Sequence, residues 1–127
     1  MKRNIGLAFL ILIFFSISGC DVNKEPYVYP TEYDFEYQVT GTASRANIIY
    51  QDLRGNYIEK TNAALPWNYQ THYYDNQAGV TPVYLSAQSL DSAPASVTVT
   101  INAKGALYKQ ATLSGDYVFV AVYGTLP

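Results

Sequence analysis

One cysteine, one histidine and one tryptophan in 127 residues leave little of what catalytic and metal centres are usually built from. A single cysteine excludes a disulfide within the chain and any cysteine-based zinc site. A single histidine, His72, excludes every zinc set with two or more imidazoles. As a general base, His72 would need an orienting acid and a nucleophile, and Asp75 and the serines offer no recognisable arrangement. In a strand it points away from Thr71 and Tyr73 and so toward solvent. Charged residues are scarce, 14% of the chain, and form no run of one sign. That excludes the basic footprint that nucleic acids require. No glycine-rich phosphate loop, nucleophile elbow or metal-type spacing is present. Asp34 and Glu36 share one strand face, where paired carboxylates can divide acid and base roles or bind calcium. As an exposed pair they read as solvated charges. The expectation is a chain with no catalytic residue, no metal and no cofactor. Helical periodicity is also missing beyond residue 20, as are internal repeats and low-complexity tracts.

What the chain does have begins at its amino terminus. Lys2 and Arg3 precede an uncharged stretch whose centre, from Ile5 to Phe15, is almost wholly apolar. A basic start, a short apolar run and small residues at the end are the parts of a secretory signal peptide. The run is short of the roughly 20 residues that span a bilayer. Ile17-Ser18-Gly19-Cys20 resembles a bacterial lipobox, which implies cleavage after Gly19 and acylation of Cys20. At about 0.8 kcal/mol per buried CH2, one acyl chain holds reversibly and two or more hold stably. The expected partner is therefore the membrane, through an N-terminal lipid, and the expected location is the bacterial cell envelope. Asp21 resembles the inner-membrane retention signal of enteric-type lipoproteins, but other bacterial groups follow different rules, so either membrane stays open.

Removing residues 1–19 leaves 108 residues, enough for one domain. Six basic residues then face ten acidic ones, a net charge of −4. Residues 20–32 read as the lipidated cysteine and a tether, with Pro26, Pro30 and several charges. Residues 33–127 read as an all-β domain. Phe35, Tyr37 and Val39 alternate with polar neighbours, and Ala46, Ile48 and Tyr50 form the next inward row. Arg54-Gly55-Asn56 marks a turn, and Leu65-Pro66 breaks the third strand from a fourth in which Trp67, Tyr69 and Thr71 share a face. Val83, Leu85 and Ala87 alternate again. Val97, Val99 and Ile101 give the cleanest strand, and Lys104-Gly105 supplies hairpin chemistry. Tyr117 to Tyr123 is apolar on both faces and is expected in the middle of a sheet. Turn signals every ten residues or so predict an immunoglobulin-like antiparallel β-sandwich of seven to eight strands.

Tyr37-Gln38-Val39-Thr40-Gly41, Ala46-Asn47-Ile48-Ile49-Tyr50, Leu65-Pro66-Trp67, Leu85-Ser86-Ala87-Gln88 and Val99-Thr100-Ile101 with Gly105 resemble the membrane-anchored MmpS family. The resemblance spans residues 36–123. It implies an immunoglobulin-like sandwich that accompanies RND-type lipid and siderophore exporters. MmpS proteins are usually held by a transmembrane helix, whereas this chain reads as lipid-anchored. They also tend to carry a cysteine pair where Val97 and Val120 stand here.

The aromatic group Tyr57, Trp67, Tyr69, Tyr73, Tyr74 and Tyr84 is the one candidate binding surface, with Trp67, Tyr69, Tyr73 and Tyr74 as its centre. Trp67 after Leu65-Pro66 also suits a core or corner position. The expected function is a non-enzymatic, lipid-anchored interaction module, in its sharper form an accessory subunit of an RND-type transport system with a membrane transport protein as partner. The alternative is a glycan-binding envelope lipoprotein that uses exposed aromatics.

Overall fold

The computed structural model describes residues 31–74 and 80–126. The expected signal peptide, lipobox with Cys20 and tether through Pro30 lie outside the described residues, as do residues 75–79, which hold most of the loop expected from Asn76 to Thr81; Thr81 itself begins a strand.

The domain is all-β. Eight strands run in the order β1 (Glu32–Gly41), β2 (Arg45–Gln51), β3 (Tyr57–Ala64), β4 (Trp67–Tyr74), β5 (Thr81–Ser89), β6 (Ala95–Ala103), β7 (Ala106–Gly115) and β8 (Phe119–Leu126). They form two four-stranded antiparallel sheets, β4-β1-β6-β7 and β3-β2-β5-β8. Only β2–β3 and β6–β7 are hairpins between neighbours; every other connection crosses from one sheet to the other. This is the antiparallel β-sandwich of seven to eight strands expected from the sequence.

The period-two rows meet between the sheets. Phe35, Tyr37, Val39, Val97, Val99 and Ile101 line one inner face. Ala46, Ile48, Tyr50, Val83, Leu85, Ala87, Val120 and Val122 line the other. Val97 and Val120, where the resembled family carries cysteines, are both buried core residues, one in each sheet.

Tyr37 links the two sheets. The β2–β5 pairing runs from Ala46↔Ser89 to Tyr50↔Leu85, so Gln51 and Tyr84 are the next pair in register. There the Tyr37 hydroxyl donates to the Gln51 carbonyl at 2.6 Å and accepts from the Tyr84 N–H at 3.3 Å. A side chain of one sheet thus replaces a rung of the other, which satisfies two backbone groups that burial would otherwise strand. Burial pushes the Tyr37 hydroxyl far above the usual tyrosine range, so it stays a neutral donor and acceptor.

Tyr117–Tyr123 does not sit centrally. β8 is an edge strand of its sheet, begins at Phe119 and exposes Phe119 and Tyr123. A strand apolar on both faces suits a central position, but here one face packs the core through Val120 and Val122 while the other lies open. β7 closes over β8 at that side of the sandwich. The Tyr108 hydroxyl donates to the Thr125 carbonyl at 2.8 Å and accepts its N–H at 3.1 Å, capping part of the β8 edge. Gly124 makes room for this ring, because a Cβ there would sit 2.6 Å from the Tyr108 hydroxyl.

The connections gather at two poles. β1 begins at one pole, here called proximal. The β2–β3 turn, the β6–β7 hairpin and the end of β8 lie there too. The distal pole holds the β1–β2, β3–β4, β5–β6 and β7–β8 connections, held together by Ser44 with Asp91 and by Leu90 N–H to the Arg45 carbonyl.

Candidate binding surfaces

The predicted aromatic group divides among three places. Strand parity turns Trp67, Tyr69 and Tyr73 of β4 inward and leaves Tyr74 facing solvent. Tyr73 is buried, and Trp67 and Tyr69 are half-buried against the core. Tyr50 centres this packing, with ring centroids 5.4 Å from Trp67 and 4.8 Å from Tyr69. Phe35 meets Tyr73 edge-on at 6.3 Å. These rings fill the space between the sheets on the side of β3 and β4.

Tyr57 and Tyr84 lie instead on the outer face of the β3-β2-β5-β8 sheet. Register places Tyr57 beside Gln51 and Tyr84 beside Tyr123, giving one cross-strand row. Tyr57 and Tyr84 meet edge-on at 5.8 Å. Tyr123, which the sequence reading passed over, completes the row. Its outward orientation follows from parity with buried Val120 and Val122, a signal hidden while β8 is read as central.

The outer face of the β4-β1-β6-β7 sheet is polar. Glu36 sits among four side-chain amides. Gln70 Nε2 donates to Oε2 at 2.9 Å, Asn68 Nδ2 to Oε2 at 3.1 Å, Gln38 Nε2 to Oε1 at 2.8 Å and Asn102 Nδ2 to Oε1 at 3.5 Å. Partial burial raises the Glu36 carboxyl's pKa, but the amide hydrogen bonds outweigh that and hold it below the usual carboxylate range. An amide that gives its nitrogen to a carboxylate turns its oxygen away, so the face is rich in acceptors. His72 Nδ1 lies 3.0 Å from Asp34 and 3.4 Å from Glu32 on the same face. With the β6–β7 hairpin this face encloses an open concavity of about 710 Å³, lined by Asp34, Glu36, Gln70, His72, Asn102 and Leu107.

Neither a family model nor a curated protein matches this chain.

At the distal pole the β7–β8 turn presents exposed Tyr117 and Phe119 beside Leu90, with Leu113 at the end of β7. Tyr117 N–H donates to the Asp91 carbonyl at 3.1 Å, and its own carbonyl accepts Gln88 Nε2 at 3.4 Å. The Tyr117 backbone has φ +48°, a conformation costly for a non-glycine residue. A half-exposed aromatic is therefore held in a strained turn.

Proposed function

We propose that this protein is a non-enzymatic, lipid-anchored interaction module of the bacterial envelope, and in its sharper form an accessory subunit of an RND-type transport system. The observation that carries the reading is the distal apolar group of Leu90, Tyr117 and Phe119, which lies at the end of the sandwich opposite the tether. Exposed apolar groups of this kind are common at protein–protein contacts. A lipid on Cys20 would hold the proximal pole near the bilayer and present the distal pole to a membrane-embedded partner. The lipobox motif and the MmpS resemblance support the location and the class of partner.

Crosslinking of the tagged full-length protein in intact cells tests this. A transport component should be recovered with the unmodified chain, and lost both from Cys20→Ala, which removes the anchor, and from Tyr117→Ser/Phe119→Ser, which removes the contact. Recovery unchanged by the distal substitutions would defeat the reading.

A second reading, a glycan-binding lipoprotein, draws support from the polar face. Its acceptors around Glu36 suit sugar hydroxyls, and Tyr74 stands exposed one rung beyond His72 to stack on a ring. Saccharide binding lost in Gln70→Ala and in Tyr74→Ala, with melting unchanged, would favour it.

A further inference from the structure

We propose that the proximal pole rests in the headgroup layer of a lipid bilayer, so that the domain stands on the membrane rather than swinging free above it. The proposal depends on the anchor reading of Cys20.

The argument starts from which residues crowd this pole. Tyr57 opens β3, Tyr74 ends β4, Val80 precedes β5 and Leu107 follows the β6–β7 hairpin. They are 65%, 48%, 66% and 60% exposed, and Tyr123, just above them on β8, is 74% exposed. Single exposed apolar residues are ordinary on any protein. Here they come from five different strands and connections and ring one end of the sandwich. Tyrosine is the residue type that best suits a bilayer interface, with an apolar ring and a hydroxyl that stays hydrated. The hydroxyls of Tyr57, Tyr84 and Tyr123 make no hydrogen bond among the described residues and are free for headgroups or water.

Charge at the pole is mixed, as suits a zwitterionic headgroup layer. Arg54 and Lys104 lie in its two turns. The Asp52 carboxylate accepts N–H groups of its own turn from Arg54 at 3.0 Å and Asn56 at 2.9 Å. The exposed carboxylates of Asp34 and Glu32 lie 3.0 Å and 3.4 Å from His72.

The tether supplies the remaining constraint. Eleven residues separate Cys20 from the start of β1, a reach of at most about 40 Å. Ten-residue β1 is itself about 33 Å long. An acylated Cys20 thus keeps the proximal pole within little more than one domain length of the surface. Leu90, Tyr117 and Phe119 stay at the far end, too distant to share the same contact.

Because the chain has one cysteine, an acylated Cys20 leaves no free thiol, and Tyr57→Cys, Leu107→Cys or Ser92→Cys each introduces one labelling site. Ser92 is exposed in the distal β5–β6 connection and serves as the reference. The full-length protein, purified from membranes and labelled with a thiol-reactive fluorophore, is incorporated into phosphatidylcholine vesicles carrying a nitroxide near the headgroup. The expected result is several-fold stronger quenching at positions 57 and 107 than at position 92, with protection of the first two from aqueous iodide. Quenching no greater at 57 and 107 than at 92, in protein that floats with the vesicles, overturns the membrane seat and leaves the anchor intact. Two labels per chain, or no flotation, overturns the anchor and the seat with it. Protection from iodide before vesicles are added, with twice the monomer mass in solution, means that a second copy covers this pole and also overturns the proposal. All three labelled positions are exposed, so melting of each variant should match the parent.

Discussion

Replacing Tyr37 with phenylalanine removes one oxygen atom, and the structure gives the consequence. The hydroxyl donates to the Gln51 carbonyl at 2.6 Å and accepts from the Tyr84 N–H at 3.3 Å, standing in for the rung that would follow Tyr50↔Leu85. Tyr37 is fully buried and Gln51 nearly so. Tyr37→Phe therefore loses a net hydrogen bond and leaves a carbonyl and an N–H without partners. A lost bond costs about 1 kcal/mol and a stranded buried group about 1–3 kcal/mol, so a total of about 2–4 kcal/mol follows after allowing for the partial exposure of Tyr84. For a domain of this size each kcal/mol moves Tm by roughly 4–8 °C, which places the shift at about 8–32 °C downward. The assay is thermal and urea unfolding of the unacylated domain, with Tyr123→Phe as the comparison. That exposed hydroxyl makes no hydrogen bond among the described residues, and its loss should change stability by less than about 0.5 kcal/mol. A change in Tyr37→Phe as small as that in Tyr123→Phe would refute the reasoning. It would mean that Gln51 and Tyr84 close the gap and pair directly.

The remaining predictions concern other points of the fold. Glu36→Gln should flatten the acid limb of the stability curve: a carboxyl with a lowered folded pKa stabilises above its unfolded value of about 4.3, and that stabilisation disappears as pH falls through the folded value. Urea midpoints between pH 3 and pH 6 check this, and parallel curves for the two proteins would contradict it. Gly124→Ala should cost about 1–3 kcal/mol, because its Cβ meets the Tyr108 ring. In a Tyr108→Phe background the cost should shrink, giving a favourable coupling in a double-mutant cycle measured by denaturant melts. Gly41→Ala should be among the most damaging single changes in the domain, since φ is +134° and the new methyl would overlap the Ser96 carbonyl; soluble yield and melting temperature report it.

Strand by strand, the fold was largely legible. Phe35, Tyr37 and Val39, then Val97, Val99 and Ile101, alternate so cleanly that period-two patterning places both their strands and their buried faces. Leu65-Pro66, Arg54-Gly55-Asn56 and Lys104-Gly105 mark real chain reversals. Sheet order was not legible. The apolar run through Tyr123 suits a central strand, and nothing local reveals that β8 lies at an edge with Phe119 and Tyr123 exposed. The same gap hid the candidate surfaces. Tyr57, Tyr84 and Tyr123 are far apart in sequence and become neighbours only through the register of β3, β2, β5 and β8. Trp67, Tyr69, Tyr73 and Tyr74 look like one cluster in sequence, yet parity sends three toward the core and one outward. Glu36 and its four amides come from three strands, which no spacing rule connects.

The place of β1 bears on how the molecule would carry load. β1 is the first strand of the domain, and it lies inside its sheet, paired with β4 on one side and β6 on the other. Were Cys20 anchored as proposed, a pull through residues 21–31, resisted at the distal pole, would act along this strand. It therefore loads both ladders in shear, so that their hydrogen bonds share the tension instead of opening one by one from an end. The Tyr37 hydroxyl passes part of that tension across to the facing sheet through Gln51 and Tyr84. Had the tether entered an edge strand such as β8, the same pull would have met a single ladder. In the proposed anchored form the sandwich would be mounted by a strand braced on both sides, as suits a part held between a bilayer and a partner.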